Sequence, residues 1–471
     1  MEIIDNILNA VALFGESVLF FNITFIAKYK IPFLVAWITF FGIYFSIKFR
    51  FINIKYLIKS IKMMISIDIE KKQQKLLQNT QYNLSSSKKI LLTGIGEAID
   101  VSAIFGVTTA VIIGGPGVLF WMLVAGLISM PIKFVEVSLG CMTRKFNKKT
   151  NSVIGGPSHY IMVMFRCVKQ RKLGKIVSAM FSICVIVSTL FSLQINQTMN
   201  VVRYIFPFSE KYSFEVSMTF ALMIMSIILT GFSMITKITS KIVKIMSIIY
   251  IAVCFVIIIR NCNLLPHVIY EIFHQAFTFK AIEGSLIFAS IMGLKRIFFS
   301  CDIGQGVSSM IHVNTINTNP IQEGIISMSA ITIITLISVF CSGLIIVITN
   351  SYLFHLDAMS AVIFAFNTVN PYLKYSLFAI VPMFAITTAV AWGYCGQNAW
   401  KNIFGIRSVF IYNSILLISY VFCGITKDFR KILDIADIFN FSITFPNIIA
   451  LGIGSGIVLK RYKKEIAKKS I

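Results

Sequence analysis

The chain has 471 residues, 57% of them hydrophobic and only 13% charged, with a mean hydropathy of +0.83. That composition excludes an ordinary soluble domain, in which roughly half the residues are apolar, and it makes length a count of membrane spans rather than of domains. The formal net charge of +24 does not argue for nucleic acid, because the Lys and Arg residues lie mostly in short loops between apolar runs, as positive-inside topology requires.

In chain order, Met1–Asn9 carries two acids and no base, the opposite of a signal-peptide n-region. Residues 4–22 are apolar and read as an interfacial or packing helix. Runs of about twenty apolar residues then predict about eleven spans. They fall near 33–49, 90–113, 118–138, 176–202, 213–235, 241–259, 284–312, 324–348, 372–396, 407–425 and 440–459. The second is not a clean helix. Its upstream end holds Glu97, Asp100 and Ser102 together with Gly94, Gly96 and Gly106, and it runs into a tight turn at Gly114-Gly115-Pro116-Gly117. Charge and glycine at membrane depth cost several kcal/mol unless a cavity, an ion or a substrate compensates them.

The basic segments set the orientation. Lys48–Lys89, Arg144–Lys149, Arg166–Lys175, Lys237–Lys244, Lys401–Arg407 and Lys460–Lys469 all fall on one side if eleven spans are correct. That side is expected to be the cytoplasm, with the N-terminus outside and the C-terminus inside. Four segments follow: residues 1–89 (first span and basic segment), 90–260, 261–459, and a basic tail over 460–471.

A second glycine-broken stretch, Ser300-Cys301-Asp302-Ile303-Gly304-Gln305-Gly306, lies five spans after the first. An odd offset makes the two run through the membrane in opposite directions, and two such breaks in inverted halves point to a binding site near the midplane. Half-helix N-termini there can face an anionic group, and freed carbonyls can ligate a cation. An amino-acid carboxylate and Na⁺ suit that pair.

Other chemistries lack support. The nine cysteines form no CxxC pair, and the five histidines show no ligand spacing, so neither a zinc site nor a disulfide framework is expected. No P-loop, GxGxxG or nucleophile elbow stands in context. The expectation is a transporter and not an enzyme, driven by an ion gradient rather than ATP and needing no cofactor.

At the residues already quoted the chain resembles the alanine or glycine:cation symporters, also called the sodium:alanine symporter family. The family's Gly-Gly-Pro-Gly-Ala-Val-Phe-Trp-Met is here Gly114–Met122, and its Lys-Phe-x-Glu is Lys133-Phe134-Val135-Glu136. Further matches are Gly155-Gly156-Pro157 with Tyr160, Ile272–Phe277, Trp392–Gln397, and Ala436-Asp437 with Pro446–Leu451. Six motifs in order at similar spacing, over about residues 85–460, make the match specific.

The resemblance implies an all-α, leucine-transporter-like fold. Two inverted five-helix repeats would be preceded by one additional span. It also implies import of a small neutral amino acid, alanine or glycine, with Na⁺ as coupling ion and H⁺ as the alternative. The setting would be a bacterial cytoplasmic membrane. Two departures stand out. The family's Gly-Thr-Gly-Asn-Ile-Ala-Gly is here Asp100–Gly106, and its Phe-Ser-Asn-Glu-Ala-Gly-x-Gly is Phe299–Gly306. An Asn is lost from each break.

The candidate site follows. Ser102, Ala103 and Gly106 line the first break, whose backbone amides would take the substrate carboxylate. Gln197 matches the family's substrate-contacting Gln, and Gln194 stands in place of its Asn. Phe299, Ser300 and Cys301 belong to the second break, where Asp302 and Gly304 are expected to order the backbone. Asp100 offers a carboxylate to a cation or proton, or else pairs with a Lys at the membrane edge. Thr387 and Thr388 fall where this fold places sodium-binding hydroxyls, the alternative being a bond back to their own helix. Trp392, one turn further on, would wall the pocket.

Overall fold

In lipid every backbone N–H and C=O must be satisfied within the protein, which leaves helices as the element available to long apolar runs. The computed structural model describes residues 22–26, 29–66, 82, 84–98, 102–147, 151–277, 286–354, 356–426 and 430–468. The expected helix over 4–22 lies almost wholly outside the described residues, as does Asp100. Apart from two short antiparallel hairpins (β1, Asn22–Ile26, with β2, Tyr29–Pro32; β3, Lys145–Asn147, with β4, Ser152–Ile154) the elements are helical.

The helices that matter for the site are α1 (Phe33–Lys48), α2 (Ser87–Ala98), α3 (Ser102–Gly114), α4 (Val118–Thr143), α5 (Pro157–Cys167), α6 (Arg171–Leu190) and α7 (Leu193–Ile205). They continue with α8 (Ser213–Leu229), α9 (Phe232–Arg260), α10 (Leu265–Ala276), α11 (Leu286–Ser300), α12 (Val307–His312) and α13 (Pro320–Ile333). A π-helical turn over Ile334–Val339 links α13 to α14 (Phe340–Ile348), and α15 (Ala358–Asn367), α16 (Lys374–Phe404), α17 (Val409–Ile425) and α18 (Arg430–Ala467) complete the chain. Among the described residues eight helices are long and apolar enough to cross a membrane, and nine spans result if the bent pair α2–α3 is counted as one. The runs expected at 33–49 and 284–312 correspond to α1, of 16 residues, and to α11 with α12, which are shorter than a full crossing. The protein is a polytopic helical membrane protein.

Burial separates a central bundle from its surround. Two-thirds of the apolar window of α4 and three-quarters of that of the α13–α14 span are buried inside the protein, against one-third for α8, α9 and α17. The last three carry exposed Leu229, Ile248, Phe255, Phe410 and Ile418, the surface a lipid chain would cover. At the centre α4 packs along α11 and α13.

The Gly114–Gly117 turn shows why small residues stand there. Gly115 takes a positive φ of 73°. A Cβ on Gly117 would lie 2.6 Å from the Ala276 nitrogen and 2.8 Å from the Gln275 carbonyl oxygen. Trp121 Nε1 donates to the Ala276 oxygen at 3.0 Å. Two motifs about 155 residues apart, Gly114–Met122 and Ile272–Phe277, are therefore one contact between the start of α4 and the end of α10. Gly117→Ala is expected to lower the midpoint of thermal unfolding, at a cost of about 1–3 kcal/mol from a clash with backbone. Gly456→Ala, which meets nothing within 4 Å, is expected to leave it unchanged or raise it, since Ala favours helix over Gly by up to about 1 kcal/mol.

Candidate functional site

The first break separates α2 from α3, whose axes differ by 45°. The last described turn of α2 presents backbone carbonyls at the break. Two of them are met from α16: the Thr388 hydroxyl lies 3.1 Å from the Gly96 oxygen and 3.2 Å from the Glu97 oxygen. One hydroxyl and two carbonyls form an oxygen cluster at the C-terminal, negative end of a half-helix. Thr387 points elsewhere, bonding back to the Met383 and Phe384 carbonyls at 3.1 and 3.0 Å.

The second break runs from Cys301 to Gly306, between α11 and α12. The chain reverses its helical course through positive φ at Asp302 (47°), Gly304 (74°) and Gly306 (84°). Side chains from three other helices meet the polar groups it frees. Lys133 Nζ, buried in α4, donates to the Cys301 carbonyl at 3.0 Å and to Ser308 Oγ at 2.5 Å. Glu136, three residues along the same helix and so on the same face, accepts the Ser309 N–H at 3.3 Å. Asn447, after Pro446 in α18, donates to the Gly304 carbonyl at 2.7 Å, and the Tyr160 hydroxyl of α5 donates to Asn447 Oδ1. One helix thus supplies an ammonium to the carbonyl end of α11 and a carboxyl to the amide end of α12, each matched to the local helix dipole.

Composition gave no sign that these four residues meet. The signal was an acid and a base inside an apolar run, in Lys133-Phe134-Val135-Glu136, which is expensive in lipid unless each finds a partner.

A cavity of about 950 Å³ touches both breaks. Of the expected site residues, Gly106, Gln194, Gln197, Phe299, Asp302 and Trp392 line it. Ala103, Ser300, Cys301, Gly304, Thr387 and Thr388 stand behind the wall, and Ala103, Ser300 and Cys301 are buried in packing. The Ser102 side chain is outside the described residues. Ala103 and Cys301, which replace the two lost Asn, therefore add packing rather than polar groups to the cavity.

Three features were not expected. The run at 176–202 is not one helix: it breaks at Phe191-Ser192, between α6 and α7. The Leu190 carbonyl so freed accepts the Ser419 hydroxyl. The sequence trace of this break is a change of polarity: α7 carries Gln194, Asn196, Gln197, Asn200 and Arg203, whereas α6 ends in the apolar run Phe181–Leu190. The break swings Gln194 and Gln197 onto the cavity wall. The second feature is the polar lining supplied by Asn200, Gln305 and Asn440. Gln197 Oε1, Gln305 Oε1 and Asn440 Oδ1 are buried acceptors with no hydrogen-bond partner among the described residues.

The third lies at the far end of the broken helices. Glu323 meets His312 Nδ1 at 2.7 Å, the Ser87 hydroxyl at 2.6 Å and Asn317 Nδ2 at 3.1 Å. Arg144 donates to the carbonyls of Val313, Thr315 and Asn317. Backbone bonds join Ser85 to Asn314 and Ile316. The start of α2 is thereby tied to the end of α12, while the cavity extends the other way, toward Arg203 and Asp357.

A polytopic bundle with a cavity at two interrupted helices is the arrangement in which many solute carriers place their binding sites. A family profile described as the sodium:alanine symporter family matches residues 17–470, and the chain belongs to that family. Over 430 residues it is 26% identical to the sodium/alanine symporter AgcS of Methanococcus maripaludis, covering 90% of this chain and 91% of that protein. It is 25% identical over 444 residues to the probable sodium/glutamine symporter GlnT of Bacillus subtilis, with 90% and 86% covered. It is 24% identical over 460 residues to the amino-acid carrier protein AlsT of the same organism, with 93% and 90% covered. Its class is that of the amino-acid:cation symporters.

Lys133→Met would leave the Cys301 carbonyl without its donor at membrane depth. It is expected to cost about 2–5 kcal/mol of stability. Thermal unfolding in detergent should show a lowered midpoint, and Glu136→Gln, which keeps a carbonyl acceptor for the Ser309 N–H, should fall by less.

Proposed function

We propose that the protein is a sodium-coupled symporter that imports a small neutral amino acid, alanine or glycine first, by alternating access. The observation that carries this reading is the cavity that touches two helix breaks, which the sequence reading puts in oppositely running spans, five spans apart. Two inverted five-helix repeats with one preceding span account for that spacing, and rocking one bundle against the other would expose the cavity to each side in turn. With the basic loops in the cytoplasm the N-terminus is outside and the C-terminus inside.

Sodium wants hard oxygen ligands. The cluster of Thr388 hydroxyl with the Gly96 and Glu97 carbonyls supplies three at the first break, and its negative half-helix end favours a cation. Moving one net charge inward at about 100 mV contributes roughly 2.3 kcal/mol, nearly two decades of accumulation. The amide-rich lining favours a second reading of the substrate: a carboxamide side chain, as in glutamine, would give the orphaned oxygens of Gln305 and Asn440 an N–H donor each.

Uptake of labelled alanine, glycine and glutamine into proteoliposomes, with and without an inward sodium gradient, tests the whole proposal. Uptake that needs the gradient supports it. Uptake that ignores sodium and rises as external pH falls would replace sodium by protons. Thr388→Ala is expected to raise the sodium concentration for half-maximal uptake about fivefold or more, the loss of one oxygen ligand, while leaving uptake at saturating sodium near wild type. Gln197→Ala is expected to raise the KM for amino acid about tenfold with expression intact, and an unchanged KM would remove that side chain from the site.

A further inference from the structure

Among the described residues, Arg203, Lys295 and Arg296 line the cavity together with the acids Glu97, Asp302 and Asp357. Arg203 is engaged at the end of α17, donating to the Gly424 and Ile425 carbonyls at 2.8 and 3.3 Å. Lys295 sits over the Phe299 ring, 5.8 Å from its centroid. Arg296 lies against the first broken helix. A Cβ built on Gly106 would fall 1.8 Å from Arg296 Cζ and 1.9 and 2.1 Å from its two terminal nitrogens. The guanidinium of α11 thus occupies the space that only a glycine in α3 leaves open, one helix turn into the half-helix that follows the first break. Across the same cavity, Gln197 Oε1 and Gln305 Oε1 are buried acceptors with no partner among the described residues.

We propose that Arg296 is the anchor for the substrate's carboxylate, seated on Gly106, and that the acceptor oxygens of Gln197 and Gln305 take its ammonium. The assignment rests on the amino-acid reading above. A zwitterion needs donors at one end and acceptors at the other. Guanidinium presents paired N–H groups in a planar fork that matches a carboxylate, and an ammonium carries three donors for acceptors that now have none. The expectation drawn from the break itself was different: backbone amides of α3 would hold the carboxylate unaided. With the guanidinium laid over Gly106, the carboxylate reaches a full charge in the same place. Gly106 then has a specific purpose, since any side chain there would push the guanidinium away.

The test is binding of radiolabelled L-alanine to the purified full-length protein in sodium, by scintillation proximity, with unlabelled L-alanine and L-alaninamide as competitors. Alaninamide keeps the ammonium and the methyl group but lacks the carboxylate. Wild type should prefer alanine. In Arg296→Gln the ratio of the two affinities should fall about tenfold or more, mostly through weaker alanine binding, and Arg296→Lys should lie between. A purely structural role for Arg296 would weaken both ligands together and leave the ratio unchanged, which would overturn the assignment while the amino-acid reading stood. If Arg296→Gln does not fold, Gly106→Ala, which displaces the guanidinium without removing it, decides on the same ratio. Should wild type bind none of alanine, glycine and glutamine, the amino-acid reading itself falls and takes this assignment with it.

Discussion

An interrupted helix inside lipid leaves carbonyls and amides that water cannot reach, each worth several kcal/mol if unmet. The rest of this structure follows from how those groups are met. At the second break the protein meets them itself. Lys133 takes the Cys301 carbonyl, Glu136 the Ser309 amide, and Asn447, steered by Tyr160, the Gly304 carbonyl. The chain there holds three positive φ angles while these three backbone groups have partners within the protein.

The first break is treated differently. Its carbonyl end receives one neutral hydroxyl, Thr388, and the helix beyond it presents Gly106 under a guanidinium. The second is a fixed scaffold carrying Phe299, Asp302 and Gln305 to the cavity wall. The break at Phe191-Ser192 adds a third wall by turning Gln194 and Gln197 inward.

A carrier must also be closed somewhere. The ties of Glu323 to Ser87, His312 and Asn317, and of Arg144 to three carbonyls, hold the two broken spans together at the end away from the cavity. These are directional bonds between separate elements, those of Glu323 made by buried side chains. Such contacts can be exchanged as a unit when helices rock, which a close-packed apolar interface resists.

The sequence by itself determined the solvent of this protein, the positions of two of its three breaks and its family, because apolar run length, glycine and misplaced charge are local properties that lipid reads directly. Gln197, Phe299, Asp302 and Trp392, singled out from aligned motifs, all line the cavity. Only the tertiary structure decided which freed groups are already satisfied. Lys133 and Cys301 are 168 residues apart and Asn447 and Gly304 are 143 apart, and no pattern along the chain announces such a bond. The same holds for Arg296 over Gly106. A hydrogen bond or a steric gap belongs to two segments at once, so it exists only after both have been placed.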